Sequence, residues 1–116
     1  MTNLSYARGS SEPPVPEGTI GDWLDRPAEQ FPDTQALVAP WQDVRWTWAE
    51  LRERTDSLAR GLTGLGLALG DRVGIWAPNC VEWVLTQLAT ARLGLVLVSI
   101  NPAYRPHELG HALRLA

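Results

Sequence analysis

The spacing of apolar positions divides the chain into short elements of helical and strand period. From Thr19 the pattern is helical: Ile20, Trp23, Leu24, Ala28 and Phe31 recur about one turn apart and predict a single buried stripe. Thr19 and Asp22 form T-x-x-D, a helix-start signature in which each side chain can accept from the other's backbone N–H. Pro27 lies inside this stripe and lacks a donor, which predicts a kink or a restart, and Pro32-Asp33 closes the element. The apolar run Ala36 to Ala39, the turn Pro40-Trp41-Gln42-Asp43 and the run Val44-Arg45-Trp46 predict two short strands. Thr47-Trp48-Ala49-Glu50 is a T-x-x-E capping box opening an amphipathic helix. Leu51, Thr55, Leu58, Ala59 and Leu62 line its inner face, Arg52, Glu53 and Asp56 its solvated face, and Gly64 or Gly66 supplies the stop.

The second half changes period twice. Gly70-Asp71-Arg72 is a turn, Val73 to Ala77 a strand, and Pro78-Asn79 breaks it. Val81 to Leu93 is apolar nearly all round, which predicts a buried helix ending at Gly94. Leu95 to Ile100 is a continuous apolar run, as in a strand covered on both faces. Strand, helix and strand make a βαβ unit with parallel strands and a right-handed crossover. Asn101-Pro102 stops the second strand, and Pro106 at a first helical position opens a last helix that is still running at Ala116. The fold class expected is α/β. A parallel sheet needs more strands and two covering layers, so the sheet is expected to be incomplete and the ending at Ala116 a truncation.

Composition narrows the setting. Hydrophobic residues make up 45% of the 116 positions, enough for a globular core. The net charge of -3 leaves no basic footprint for nucleic acid or anionic membrane. The apolar stretch from Val81 to Ile100 carries Glu82, Gln87, Arg92 and Gly94, so a transmembrane segment is rejected. A single cysteine, Cys80, forms no internal disulfide, which fits a reducing, cytoplasmic setting. Residues 1–18, with Pro13, Pro14, Pro16, Ser10 and Ser11 and no apolar h-region, are expected to be a mobile lead-in rather than a signal or transit peptide. All ten basic residues are Arg; the chain has no Lys.

Three local patterns suggest chemistry. His107-Glu108-Leu109-Gly110-His111 is H-E-x-x-H, which on a helix places two His one turn apart with a Glu as base. Gly110 weakens the helix there, Arg114 stands where an extended zinc motif needs Gly, and no third ligand follows. Leu109, Ala112, Leu113 and Ala116 instead give the segment an ordinary apolar stripe, with both His towards solvent. Gly61-Leu62-Thr63-Gly64-Leu65-Gly66 closes a helix rather than opening one, so it is a cap and turn, not a dinucleotide loop. Cys80 precedes a helix, with no His nearby in sequence. Trp23, Trp46, Trp76 and Trp83 fall on apolar positions and are expected in the core.

The order of these pieces resembles the N-terminal part of the acyl-adenylate-forming (AMP-binding) superfamily, and within it the fatty and medium-chain acyl-CoA synthetases. The resemblance covers residues 19–116. Its markers are Phe31-Pro32-Asp33, Ala36-Leu37-Val38, Thr47-Trp48-Ala49-Glu50-Leu51, Gly66, Gly70-Asp71-Arg72-Val73 and Ile75-Trp76-Ala77-Pro78-Asn79. They continue with Glu82-Trp83-Val84, Gln87-Leu88-Ala89-Thr90-Ala91, Gly94, Asn101-Pro102-Ala103-Tyr104 and Glu108-Leu109. Trp48 departs from the family's usual Tyr or Phe, Pro27 interrupts the first helix, and His107, Gly110 and His111 fall where the family varies.

The resemblance implies a ligase that activates a fatty or other carboxylic acid with ATP and Mg2+ as an acyl-adenylate, then passes it to coenzyme A. It implies that residues 19–116 are an incomplete N-terminal domain. The Ser/Thr/Gly-rich phosphate loop and the lysines of such enzymes have no counterpart here, so no catalytic, cofactor-binding or metal residue is assigned and the piece alone is expected to be inert. The one stretch expected near substrate is Asn101, Pro102 and Ala103, beyond the carboxyl end of a parallel strand. The resemblance puts it on the coenzyme A side. The alternatives are a zinc-dependent hydrolase module using His107, Glu108 and His111, and a non-catalytic binding module.

Overall fold

The computed structural model describes residues 7, 9–14 and 16–116. The expected lead-in falls partly outside them; its described residues form no helix or strand. The elements are α1 (Ile20–Gln30), β1 (Gln35–Ala39), a 3₁₀ turn (Pro40–Gln42), β2 (Val44–Thr47) and α2 (Trp48–Gly64). They continue with β3 (Arg72–Trp76), α3 (Val81–Leu93), β4 (Val96–Ile100) and α4 (Pro106–Leu115). The element order and types are those expected from the sequence, with boundaries moved by a residue or so.

Both predicted capping boxes form. Thr19 Oγ1 accepts from Asp22 N at 3.1 Å, and the Asp22 carboxylate accepts from Thr19 N at 2.7 Å. Thr47 and Glu50 repeat the arrangement at 3.3 and 2.8 Å. Local pairs of this kind depend only on residues three apart, which is why sequence alone reveals them. At the far end of α2, Gly66 takes a φ of +83°, the left-handed conformation that ends a helix.

The strands form two small sheets. β1 and β2 pair antiparallel, with Ala39 opposite Val44 and Val38 opposite Arg45. β3 and β4 pair parallel through the α3 crossover, with Arg72 opposite Val96 and Trp76 opposite Ile100. α3 packs on one face of the parallel pair and also against α1 and α2. A Cβ placed on Gly74 of β3 would meet Ile100 Cδ1 at 3.1 Å and Leu113 Cδ2 of α4 at 3.8 Å, so α4 lies over the other face. Helices on opposite faces of a parallel pair are the beginning of a doubly wound α/β layer. The buried apolar residues are Leu24 and Ala28 of α1, Ala39 of β1, Leu51 and Ala59 of α2, Ile75 of β3, Val81 and Ala89 of α3, then Leu95 and Ile100.

Several sequence expectations are corrected. Of the α1 stripe only Leu24 and Ala28 are buried; Ile20, Trp23 and Phe31 are exposed. α1 passes through Pro27 without a restart. Burial of Leu24 and Ala28 on either side, and the Phe31 N–H donating to the Pro27 carbonyl at 2.8 Å, hold the turn despite the missing donor. None of the four tryptophans assigned to the core is buried: Trp23 and Trp76 are exposed, Trp46 and Trp83 half-buried. Two of them are covered by arginines instead. Arg26 lies 4.7 Å over the Trp23 ring and Arg54 4.4 Å over the Trp46 ring, so a charged partner replaces core packing. β4 is not covered on both faces, since Val96 and Ser99 are exposed. Leu113 and Ala116 of the α4 stripe are exposed as well. Arg52 and Asp56, expected in solvent, are half-buried against neighbouring helices.

Candidate functional site

Parallel pairing fixes where a ligand-facing loop can lie. Because Trp76 and Ile100 are opposite one another, the carboxyl ends of β3 and β4 open on the same edge. The segments that follow, Ala77 to Cys80 and Asn101 to Arg105, emerge there together. In open parallel sheets this edge is the ligand side.

Asn101, Pro102 and Ala103 lie in one closed turn at this edge. The Tyr104 N–H donates to the Asn101 carbonyl at 3.0 Å. The Ala103 N–H donates to Asn101 Oδ1 at 2.9 Å, an Asx turn in which the side chain substitutes for backbone. All three residues are exposed. The Asn101 carboxamide oxygen is therefore committed to shaping the loop, while its NH2 group has no partner among the described residues. Nothing in this turn is a nucleophile or a base; it can position and hydrogen-bond.

The turn feeds α4, where the carboxylate of Glu108 accepts from the Arg105 N–H at 2.8 Å. An acid in the first turn both satisfies a free helix-end donor and opposes the helix dipole. His107 and His111 are exposed on the same helix and line one shallow groove with Tyr104, Glu108 and Arg114. The Glu of the H-E-x-x-H string is thus a cap rather than a general base, and no third metal-ligating group gathers beside the two His among the described residues. The hydrolase reading finds no support in this geometry.

The second loop of the edge is held by Gln42, which the sequence pattern places only in a turn. Cys80 occupies the N-cap position of α3 and gives it no side-chain cap. Gln42, from the 3₁₀ turn, supplies one in its place. Its Oε1 accepts from the Val81 N–H at 2.8 Å, and its Nε2 donates to Glu82 Oε2 at 2.9 Å. That hydrogen bond is the main reason the Glu82 carboxyl is held below its ordinary range. A helix opening on Cys, a poor cap, was the available signal that an acceptor must come from elsewhere. Beneath this junction a small cleft of about 150 Å³ runs between β1 and α3, walled by Leu37, Ala39, Trp41, Cys80 and Val84.

A third cluster fixes the helices behind the sheet. Arg92 of α3 donates from both terminal nitrogens to Asp25 of α1, at 2.7 and 3.0 Å. Its Nε lies 2.8 Å from Asp56 Oδ1 of α2, but off the N–H axis, so that contact is a charge attraction rather than an aligned hydrogen bond. The Arg92 hydrogen bonds hold the Asp25 carboxyl below its ordinary value against the opposing effect of burial. The same bonds raise the Arg92 guanidinium, burial again opposing. The sequence signal was an Arg near the end of a mostly apolar helix, since a half-buried cation requires partners.

Four more carboxylates have backbone partners. Asp22, Glu50 and Glu108 cap helices, and Asp71 accepts from the Ala68 N–H at 2.8 Å. Among the described residues no group of three metal-ligating side chains gathers. This donor set does not fit a magnesium ion, which demands several oxygens in octahedral array.

Comparison with known proteins decides the family. The AMP-binding enzyme family matches residues 24–116. The chain belongs to that family. It is 47% identical over 111 residues to the mouse protein named medium-chain acyl-CoA ligase ACSF2, mitochondrial, covering 96% of this chain and 18% of that one. Among solved structures, the N-terminal domain of FACL13 from Mycobacterium tuberculosis matches with a TM-score of 0.80 and 38% identity, over 84% of this chain and 25% of that chain. The N-terminal subdomain of Klebsiella oxytoca NpsA, in a complex with 3-hydroxyanthranilyl-AMSN, matches with a TM-score of 0.77 and 28% identity over 84% of this chain. The chain therefore spans less than a fifth of the length of the mouse ligase. Its α/β class is the class expected from the sequence, and the match falls on the opening subdomain of adenylate-forming enzymes. No helix among the described residues is long and apolar enough to cross a membrane.

Proposed function

We propose that this chain is the N-terminal part of an ATP-dependent acid–thiol ligase. A carboxylate oxygen of a fatty or other carboxylic acid attacks the α-phosphorus of ATP, forming acyl-adenylate and releasing pyrophosphate. The thiol sulfur of coenzyme A then attacks the acyl carbon, and the bond to AMP breaks. The observation that carries this reading is the 47% identity to a medium-chain acyl-CoA ligase along nearly the whole chain.

The chain's own part in that chemistry is scaffold. The family reaction uses ATP with magnesium, and among the described residues no group of three carboxylate or imidazole side chains gathers to hold that ion. With no Lys in the sequence, no residue here stands in for the cations that stabilise developing phosphoryl charge. Asn101, Pro102 and Ala103 form the coenzyme A-side loop of the parent enzyme, where the free Asn101 amide donates to the incoming cosubstrate. Residues 19–116 are the incomplete first domain, residues 1–18 a lead-in, and the setting is the reducing cytoplasm.

Trp76, Val96, Leu113 and Leu115 are left exposed around the parallel pair and α4, an apolar surface of the kind further strands and helices cover. The genomic sequence after the codon for Ala116 is the cheapest test. It should encode, within the following few hundred residues, a Ser/Thr/Gly-rich loop containing Lys. A stop codon, or unrelated sequence throughout, overturns the proposal.

A further inference from the structure

The two histidines of α4 are not absorbed by the ligase reading, and they share one face of an exposed helix. His107 and His111 are four residues apart inside a continuous α-helix, Pro106–Leu115. That spacing stacks their side chains one turn above the other. Both are exposed, and both line the same shallow groove beside Tyr104. Neither imidazole has a hydrogen-bond or ion-pair partner among the described residues, so no existing interaction must be broken to use their lone pairs.

We propose that His107 and His111 form a two-point chelate for a late first-row divalent transition metal, with water completing the coordination shell. Imidazole nitrogen suits zinc, nickel and copper, whereas magnesium and calcium prefer oxygen. The site is non-hydrolytic. Glu108, which a zinc hydrolase needs as a base, accepts from the Arg105 N–H. Its charge nonetheless lies within one helical turn of both His and favours a cation. Arg114 opposes it: this guanidinium lines the same groove, and its Nη1 lies 3.5 Å from where a Cβ on Gly110 would stand, so it folds back along the helix. Metal binding closes a clamp across the first two turns of α4, immediately after the Asn101 turn.

The test is nickel(II) chloride titrated into the 116-residue chain, free of any affinity tag, by equilibrium dialysis and calorimetry. One nickel per chain is expected, with magnesium chloride producing no binding at the same concentrations. His107→Ala and His111→Ala should each weaken nickel binding by about tenfold or more, since losing a ligand costs at least as much as losing a group that merely orients one. Both changes are at exposed helical positions and favour helix, so circular dichroism should be unaltered. Arg114→Ala should tighten binding, which a nonspecific surface site would not show. Nickel binding that persists in the doubly substituted chain overturns the proposal, as does binding lost instead in Cys80→Ser. No saturable binding to the unsubstituted chain overturns it equally. These outcomes are independent of ligase activity, so failure here leaves the acid–thiol reading standing.

Discussion

Arg92→Met removes the charge that joins three helices while keeping most of the apolar stem. Two aligned bonds to Asp25 and one charge contact to Asp56 are lost. A deeply buried bidentate pair would contribute several kcal/mol, but the Asp25 and Asp56 side chains are 36% and 37% exposed, so water screens the interaction. Discounted for that exposure, the bidentate pair contributes about 1 kcal/mol and the Asp56 contact about 0.5 kcal/mol. The substitution should therefore cost about 1.5 kcal/mol near neutral pH, and Asp25→Asn about 1 kcal/mol. The sign with pH follows from Asp25. Its folded value is depressed, so the pair's stabilisation is complete above the ordinary value of 3.8 and is lost as pH falls through the lower folded value. The assay is urea unfolding followed by tryptophan fluorescence at pH 7, at pH 5 and below pH 3, on dilute protein. The difference between native and Arg92→Met chains should be equal at the two higher values and shrink at the lowest. A substitution effect below about 0.3 kcal/mol at pH 7 refutes the assigned role, as does an effect undiminished in acid.

Further predictions rest on single contacts. Gln42→Ala leaves the Val81 N–H without its acceptor and should cost about 1 kcal/mol, with faster amide exchange confined to the first turn of α3. Gly94→Ala places a Cβ against Leu69 Cδ1 at a φ of +67°, and should cost about 1 to 2 kcal/mol. Adding Leu69→Ala should recover only the steric part, and complete recovery would show that the backbone angle is immaterial. In the parent enzyme, Asn101→Ala opens the turn at Ala103 and should raise KM for coenzyme A with little change in the KM for ATP. Asn101→Asp, which keeps the oxygen acceptor but loses the amide donor, separates loop shape from direct contact; equal KM values for native and both variants would remove the loop from the coenzyme A side.

What the sequence revealed and what it hid divide by range. The two capping boxes, a glycine stop at Gly64 or Gly66 and the βαβ order depend on neighbours a few residues apart, and all were legible. The tryptophans do not follow that division: Arg26 is three positions from Trp23 and Arg54 eight from Trp46, but an apolar period does not distinguish burial in a core from cover by a cation. Trp23 and Trp46 look like core residues by period, yet arginines cover them at the surface. Arg92 and Asp25 are 67 positions apart and Gln42 and Val81 are 39 apart, so no window of local pattern could join them. At Pro27 propensity alone gives a kink or a restart; the restart does not occur, and in the fold Leu24 and Ala28 are buried on either side of it. At the candidate site, the position of Asn101 after a parallel strand was legible. The Asx bond that shapes its turn, and the capping role that takes Glu108 away from metal chemistry, came only with the structure.

The central claim is that this chain is the scaffold opening of an acid-activating ligase. Its most direct measurement is pyrophosphate released from ATP on addition of a medium-chain fatty acid. The protein encoded by the whole gene should release pyrophosphate only when acid is present, and form the coenzyme A thioester when the thiol is added. The 116-residue chain should release none under the same conditions. Acid-dependent release by this chain alone, or none by the whole protein with any carboxylic acid tested, would contradict the account.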